Sequence, residues 1–238
     1  MPADSPLLAA LGRALKGRGR LSVRPTVPTP TIPLDASWTT PEQHFNSGRR
    51  SDFRRAARRA ADLGTVTCEV LSPLPAQFDA LFDEAIGVEV ASWKKDAGTA
   101  IAVDPRKEAF FRAYFRAACA EGTMRIAFLR IDGRAVAMQM GVETLGCYWL
   151  YKIGYDEAYA KSSPGTLLML HTLAWAAERG LASYELLGDV EPWIVTFWTR
   201  EQHACVRLRT YPYNLRGAWA FAADGFTWLH QRLARRAA

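Results

Sequence analysis

The chain has 238 residues, of which 49% are hydrophobic, and this composition excludes a disordered or fibrous protein. Thirty Lys and Arg against 24 Asp and Glu give a net charge of +6, which fits an anionic partner such as a nucleotide, an acidic carrier or RNA. The four cysteines and four histidines are scattered, without CxxC, HxxxH or HExxH spacing, so neither a metal site nor a disulfide scaffold is indicated. The longest apolar stretch, residues 167–177, is too short to cross a bilayer, and we take the cytoplasm as the default location.

The N-terminal region is predicted to be an appendage. Residues 5–16 have the pattern of a short amphipathic helix, and residues 21–23 could form a short extended piece. The prolines that follow should break regular structure, because each fixes its own φ and biases its predecessor away from helix: Pro25, Pro28, Pro30 and Pro33. We therefore predict an extension or linker over residues 1–35, the possible remnant of a preceding domain, and one domain over residues 36–238.

An arginine-rich helix is predicted between residues 40 and 63. Its apolar residues share one face, and six arginines occupy the other: Arg49, Arg50, Arg54, Arg55, Arg58 and Arg59. This face is either simply solvated or a surface for an acidic ligand or RNA. The arginine face itself has no aromatic residue, because Phe53 belongs to the apolar face, and this weakens the case for single-stranded nucleic acid.

The remaining elements predict a mixed sheet with helices on its faces. A strand at residues 65–71 is followed by helices at about 75–95 and 104–122, then by strands at 124–131, 135–142 and 147–155. Asp132-Gly133 between two of these strands is a strong hairpin signal. A helix from Pro164, strands at 183–187 and 205–210, and a C-terminal helix at 219–233 complete an α/β (α+β) fold with a mostly antiparallel sheet.

The segment from Lys161 to Leu168 joins the aromatic strand to an apolar helix. Ser163 suits the N-cap, Pro164 suits the first helical position, and the first amides of such a helix have no partner within it. These amides would follow the carboxyl end of a strand, where phosphate groups are commonly bound. The residues alone fit an ordinary helix cap equally well.

This order of elements resembles the GNAT superfamily of acyltransferases, and within it the branch of CelD-like proteins and Fem-like aminoacyl transferases. The resemblance spans about residues 30–200. It is carried by Pro33-Leu34, Ser37-Trp38, Asp132-Gly133, Ala135, Ala137, Tyr155, Asp156, Tyr159, Ala160, Ser163-Pro164-Gly165, Leu167-Leu168, Glu178-Arg179-Gly180, Gly188, Glu191 and Trp198.

The resemblance implies acyl-CoA as co-substrate and no metal. Backbone from Ile153 and Gly154 would receive the pantetheine arm, and the following loop and helix start would hold the phosphates through Lys161, Ser162, Ser163, Gly165 and Thr166. The helix dipole favours negative charge at that position.

Two departures from the branch stand out. This chain has Glu185 where members usually have Asp, and Trp193-Ile194 where they have a Tyr-Lys pair. Members are also commonly longer, with a related domain before the matching stretch.

Direct acyl transfer needs a proton acceptor for the attacking amine and donors for the developing oxyanion. We predict Glu185 as the base, with Asp189 beside it, and Tyr213 as a proton donor to the departing thiolate. The alternatives are that Glu185 is a surface or helix-paired carboxylate and that Tyr213 belongs to a packing turn.

The predicted function is transfer of an acyl group, an acetyl group in the simplest case, from a CoA thioester to a small-molecule or carrier-bound amine. One alternative is Fem-like aminoacyl transfer from charged tRNA. Another is a non-catalytic accessory role in polysaccharide or envelope biosynthesis. The oligomeric state is left open, and no stable membrane insertion is expected.

Overall fold

The computed structural model describes residues 1–92, 104–188 and 192–237. Contacts divide the chain into a larger unit, Thr31–Gly188, and a smaller unit formed by Met1–Pro30 with Asp189–Ala238. The domain boundary predicted at residue 35 is a statement about independent folding. The division by contacts does not test independent folding, so this boundary stays a prediction.

The larger unit contains most of the regular structure. Its helices are α2 (Ser47–Ala61), α3 (Phe78–Val90), α4 (Pro105–Ala120) and α5 (Pro164–Glu178). Its strands are β2 (Val66–Leu71), β3 (Met124–Ile131), β4 (Arg134–Thr144), β5 (Cys147–Tyr155) and β6 (Ser183–Glu185), together with the end of β1 (Gly19–Pro33). Short 3₁₀ helices lie at Ala36–Thr39, Pro41–His44, Pro75–Gln77 and Glu157–Ser162.

These strands pair in the order β2-β3-β4-β5-β6-β1. Every pair is antiparallel except β5 with β6, which run parallel. Tight turns joining β3 to β4 and β4 to β5 use Asp132-Gly133 and Leu145-Gly146, all four with positive φ, as type I′ hairpin turns require.

Helices cover both faces of this sheet. On one face α3 and α4 bury Phe78, Phe82 and Phe115 against Met138 and Met140 of β4. On the other face α2 and α5 pack Ala60 and Leu168 against Ala127, Leu129 and Ala137. The side chains of successive strand residues point to opposite faces, so each residue's position along its strand assigns it to one of these two layers.

The smaller unit contains α1 (Pro6–Ala14), the first part of β1, α6 (Pro192–Phe197), β7 (Gln202–Pro212) and α7 (Leu215–Ala237). Gly19–Pro30 of β1 pairs antiparallel with β7, with an irregularity between Thr26 and Thr29. The sequence predicted a break at the prolines, whereas a strand of 15 residues is found. Among the described residues, this stretch of β1 pairs only with β7, and its other edge has no partner strand. A proline whose nitrogen faces that unpaired edge does not remove a hydrogen bond from the sheet.

The predicted fold class is confirmed: seven strands in the described residues form a mixed, mostly antiparallel sheet with flanking helices. Across the described part of the chain, no helix is both long enough and apolar enough to cross a membrane.

Candidate active site

The strands β5 and β6 separate at the centre of the larger unit. They pair only at Cys147 with Ser183, Tyr148 with Tyr184 and Trp149 with Glu185, after which β6 ends and β5 continues to Tyr155. From Leu150 onwards, β5 is paired to β4 on one edge, and none of the described strands pairs with its other edge. An extended, amide-containing ligand could lie along this edge of β5, which no described strand covers next to Gly154.

A β-bulge lies on β5 just beyond that separation. Met140 pairs with Lys152 but Gly141 pairs with Leu150, so Tyr151 has no residue opposite it. Tyr151 and Lys152 therefore both project toward α4: the Tyr151 hydroxyl receives a hydrogen bond from Tyr114 (2.7 Å), and the Lys152 ammonium lies 4.7 Å from the Phe111 ring centre.

The loop after β5 turns tightly into α5. Ser163 holds the N-cap position, as predicted, but with φ 49° and ψ 50° and without a side-chain capping bond. A serine in the left-handed region is strained, and such strain is often found at ligand sites. The sequence could not reveal it, because the same Ser-Pro-Gly pattern also suits an ordinary cap.

The amides of this turn are largely engaged. Ser163 N–H donates to Ala160, and the N–H groups of Thr166 and Leu167 donate to the Ser163 carbonyl. Pro164 has no N–H, so the amide of Gly165 is the one in the first turn without an acceptor among the hydrogen bonds of the described residues. The predicted phosphate-binding role of this turn depends chiefly on Gly165 and on the helix dipole.

The other predicted phosphate ligands differ in access. Lys161 and Ser163 are exposed and Thr166 is half-buried, whereas Ser162 is fully buried and its hydroxyl donates to the Tyr159 carbonyl at 2.8 Å. A side chain at Gly165 would first meet the ring of Tyr155, at 3.4 Å. The exposed groups are therefore those that an arriving anion can reach.

Arginines of α2 lie beside this turn. The Arg59 guanidinium donates to the Lys161 carbonyl at 3.1 Å, and a surface depression of about 350 Å³ is lined in part by Arg55, Arg58 and Arg59. The sequence predicted the arginine face, but not its position, since a contact between residues 102 apart leaves no local pattern.

A buried ion pair next to the open edge was missed from the sequence. Glu89 of α3 has no exposed surface, and its Oε1 lies 4.0 Å from Nζ of Lys152. Gly154 makes room for it, because a Cβ there would stand 3.2 Å from Cα of Glu89. Burial lowers the pKa of Lys152, and the Glu89 charge acts in the opposite direction.

Glu185 is 4% exposed, and its Oε1 accepts hydrogen bonds from the hydroxyls of Ser183 (2.6 Å) and Thr31 (3.1 Å). Its neighbour Tyr184 bonds Thr172 of α5, so Glu185 points to the opposite face, toward the layer that holds Glu89. Trp149, its partner across the parallel pair, has a buried indole N–H with no hydrogen-bond partner among the described residues.

Two further residues, Tyr213 and Asp189, were predicted to be catalytic. Tyr213 belongs to the smaller unit, is 71% exposed, and donates its backbone N–H to Arg18. Asp189 lies outside the described residues. Within the described ranges, no cluster of three or more His, Cys, Asp or Glu could hold a metal ion.

Comparisons with known proteins agree with this architecture. Several solved structures are similar in fold, and two of them have TM-scores above 0.5 over most of this chain. The C-terminal domain of an Agrobacterium fabrum protein assigned as a lysylphosphatidylglycerol synthetase has a TM-score of 0.52 at 16% identity, over 93% of this chain and 69% of that one. A conserved protein of unknown function from Bacteroides thetaiotaomicron has a TM-score of 0.54 at 12% identity, over 87% and 67%. Among curated protein sequences, none matches the chain significantly.

The family model described as the acetyltransferase (GNAT) domain matches residues 47–193, more than half of the chain. The match begins with the arginine-rich helix and includes the parting strands, the bulge and the turn into α5. The chain therefore belongs to the GNAT acetyltransferase domain family.

Proposed function

We propose that the larger unit transfers an acyl group, an acetyl group in the simplest case, from a CoA thioester to an amine. The observation that carries this proposal is the open edge of β5 leading directly into the strained turn before α5. An extended arm with amide groups suits the edge, and a diphosphate suits the start of the helix.

The pantetheine arm is proposed to lie along this edge of β5, at the position that the sequence predicts for it, beside Ile153 and Gly154. Gly154 has no side chain to obstruct the arm, and α3 passes close by on one face. The diphosphate would then lie at Gly165, whose amide is available, with Lys161 supplying charge and the Ser163 hydroxyl a donor.

Direct transfer requires a neutral amine to attack the thioester carbonyl. The new C–N bond forms as the C–S bond breaks, the base takes a proton from the amine, and this proton is returned to the departing thiolate, so that CoA leaves as its thiol. Glu185 is our proposed proton acceptor, and Glu89 is a second carboxylate in the same layer. The unpartnered N–H of Trp149 is a donor suited to the developing oxyanion.

Calorimetric titration with acetyl-CoA tests the proposal. Binding should be lost in Gly165→Glu, which places a carboxylate where the diphosphate is expected. Gly87→Glu is the matched control: it adds the same charge at an exposed helical glycine with no atom within 4 Å of the new Cβ, and it should bind normally. No binding by the native chain, or equal binding by Gly165→Glu, would overturn the proposal.

The roles of the carboxylates are tested separately by thiol release from acetyl-CoA in the presence of a panel of amines. Glu185→Gln should lower kcat by about 10²-fold or more while CoA affinity is kept. If Glu89→Gln alone has this effect, the base is Glu89, and our assignment of Glu185 is wrong.

A second candidate is Fem-like aminoacyl transfer from charged tRNA, which the contact between Arg59 and the turn favours. Arg54 and Arg58 have no ion pair in the described part of the chain, so they remain available for phosphates. Salt-sensitive tRNA binding that disappears when Arg54, Arg55, Arg58 and Arg59 are changed to Gln, without binding of acetyl-CoA, would favour this function and membership of the Fem-like branch.

A non-catalytic accessory role in polysaccharide or envelope biosynthesis would be favoured if neither ligand bound. For each of these functions the cytoplasm is the proposed location, because all four cysteines are free thiols.

A further inference from the structure

The two units differ sharply in charge. The smaller unit has 12 Lys and Arg against 5 Asp and Glu, a net charge of +7, whereas the larger has 18 against 19, a net charge of −1. The basic excess of the chain therefore belongs to the smaller unit, even though the arginine-rich helix α2 lies in the larger one. A charge of this size draws the smaller unit toward anionic surfaces.

Helix α7 packs on β7 through one defined side. Gly217 lies against Pro212 too closely for any side chain, the Phe221 ring meets Tyr211 edge-on at 5.2 Å, and Asp224 accepts a hydrogen bond from the Tyr211 hydroxyl. Residues 217, 221 and 224 are spaced as neighbours on one side of a helix. This side is the inner face of α7.

The opposite side of α7 carries large apolar side chains. At about 100° per residue, Leu215, Trp219 and Phe226 fall within about 40° of one another and roughly 180° from the inner face. They are 90%, 76% and 67% exposed. A surface helix normally presents polar residues on its outer side, so this apolar stripe is the reverse of the usual pattern.

Positive charge accompanies the stripe along the same helix. Four arginines belong to α7 by sequence, Arg216, Arg232, Arg235 and Arg236, against one acidic residue, Asp224. Asp224 is paired with Arg209 of β7 and so adds little negative charge of its own. A basic helix with an apolar stripe of Trp, Phe and Leu has the composition of helices that lie in the membrane interface.

We propose that the smaller unit binds the surface of an anionic lipid bilayer, with α7 lying in the interface and its Leu215, Trp219 and Phe226 stripe among the acyl chains. The arginines of the unit would then meet the acidic headgroups. This binding is peripheral, and it does not depend on the acyl-transfer function.

Other occupants fit the observations less well. A second copy of the chain would bring one unit of charge +7 against another, and the two would repel each other. RNA would satisfy the charge, but the aliphatic side chain of Leu215 offers no stacking partner for a base. An anionic bilayer accommodates both the charge and the apolar stripe.

Co-sedimentation of the full chain with lipid vesicles tests the proposal. Binding is expected to vesicles that contain phosphatidylglycerol, and to be about tenfold or more weaker to pure phosphatidylcholine and in high salt. The double variant Trp219→Ser/Phe226→Ser should lose binding about tenfold or more. Phe110→Ser, at an exposed aromatic residue of the larger unit (62%), should bind like the native chain.

Fluorescence provides an independent readout. Phosphatidylglycerol vesicles should shift Trp emission to shorter wavelength, and Trp219→Phe should still bind but show less of this shift. Several results would overturn the proposal: no binding by the native chain, equal binding to neutral vesicles, or binding by the double variant that matches the native chain. A dimer that is lost in the double variant, or tRNA binding that needs Trp219, would assign the stripe to another partner instead.

Discussion

The larger unit buries most of its large apolar side chains and nearly balances its charges, whereas the smaller unit leaves many large apolar side chains exposed and has a net charge of +7. Phe78, Phe82, Phe115 and Phe128 of the larger unit have no exposed surface. In the described part of the smaller unit the buried apolar side chains are those of Pro30, Ile194, Cys205 and Tyr211, and large side chains such as Trp219 remain in solvent. The family match, residues 47–193, covers the larger unit from α2 onwards.

This difference indicates that the two units are suited to different functions. A packed core around β5 can hold a cleft in fixed geometry, which acyl transfer requires of its site. A unit with few buried contacts and a large charge contributes little rigidity, but it has the surface features of a binding element. The following predictions test whether the two units differ in stability as they do in composition.

The largest contrast is expected from truncating one aromatic residue in each unit. Phe82→Ala removes a ring buried between Phe78 and Phe115, and should lower the free energy of unfolding by about 3–5 kcal/mol. Trp219→Ala should change it by less than about 0.5 kcal/mol, because the side chain is exposed. Urea denaturation measures both, and similar losses would contradict the division.

A smaller contrast is expected from one ion pair in each unit. Lys152→Met leaves the buried Glu89 without this counter-charge and should lower the free energy of unfolding by about 1–3 kcal/mol at pH 7. Arg209→Met breaks the solvent-exposed pair with Asp224 and should lower it less. Thermal unfolding compares the two variants, and the order of their effects is the decisive result.

Acidification should destabilise the packing of α7 on β7, because it protonates Asp224. Hydrogen bonds from Arg209 and Tyr211 hold the pKa of Asp224 below its ordinary value of 3.8. Its contribution to stability is therefore complete above pH 3.8 and is lost as the pH falls through the lowered value of the folded state. Amide exchange in α7 should accelerate in that range relative to α5, and Asp224→Asn should remove this pH dependence.

The smallest effect concerns reactivity rather than stability. Burial raises the pKa of the Cys68 thiol in β2 from 9.0 to about 11, so its thiolate fraction at pH 8 is about a hundredfold lower than that of an ordinary thiol. Iodoacetamide should accordingly label Cys68 far more slowly than free N-acetylcysteine, as mass spectrometry of the modified peptide can show. Labelling at the rate of the free thiol would mean that β2 opens readily.

Local sequence patterns were sufficient to predict many of the helices and strands of the larger unit. The strand at residues 124–131 has the predicted bounds, and Asp104 caps α4 as expected, accepting a hydrogen bond from the Arg106 amide at 2.9 Å. Helix α5 begins at Pro164, as Ser-Pro-Gly predicted. Such features depend on residues within a few positions of one another, which is the range that periodicity and capping rules cover.

Features that depend on long-range pairing were not predictable. The proline-rich β1 is a strand because β7, nearly 180 residues later, pairs with it. The Glu89–Lys152 pair joins a helix and a strand that no local pattern connects. The proposed roles of Glu185, Asp189 and Tyr213 remain predictions.

The bulge at Tyr151 gives β5 one residue more than its ladder with β4 needs. Met140 and Gly141 are consecutive in β4 and pair with Lys152 and Leu150, so deletion of Tyr151 would make those two residues consecutive and leave the other pairs in register. Tyr148 would still fill the space that Gly141 leaves for its ring, and Lys152 would still face Glu89. The Tyr151 hydroxyl, which accepts a hydrogen bond from Tyr114, would be lost. Evolution could therefore shorten β5 at this position without moving the rest of the strand, at the expense of the contact between Tyr151 and α4.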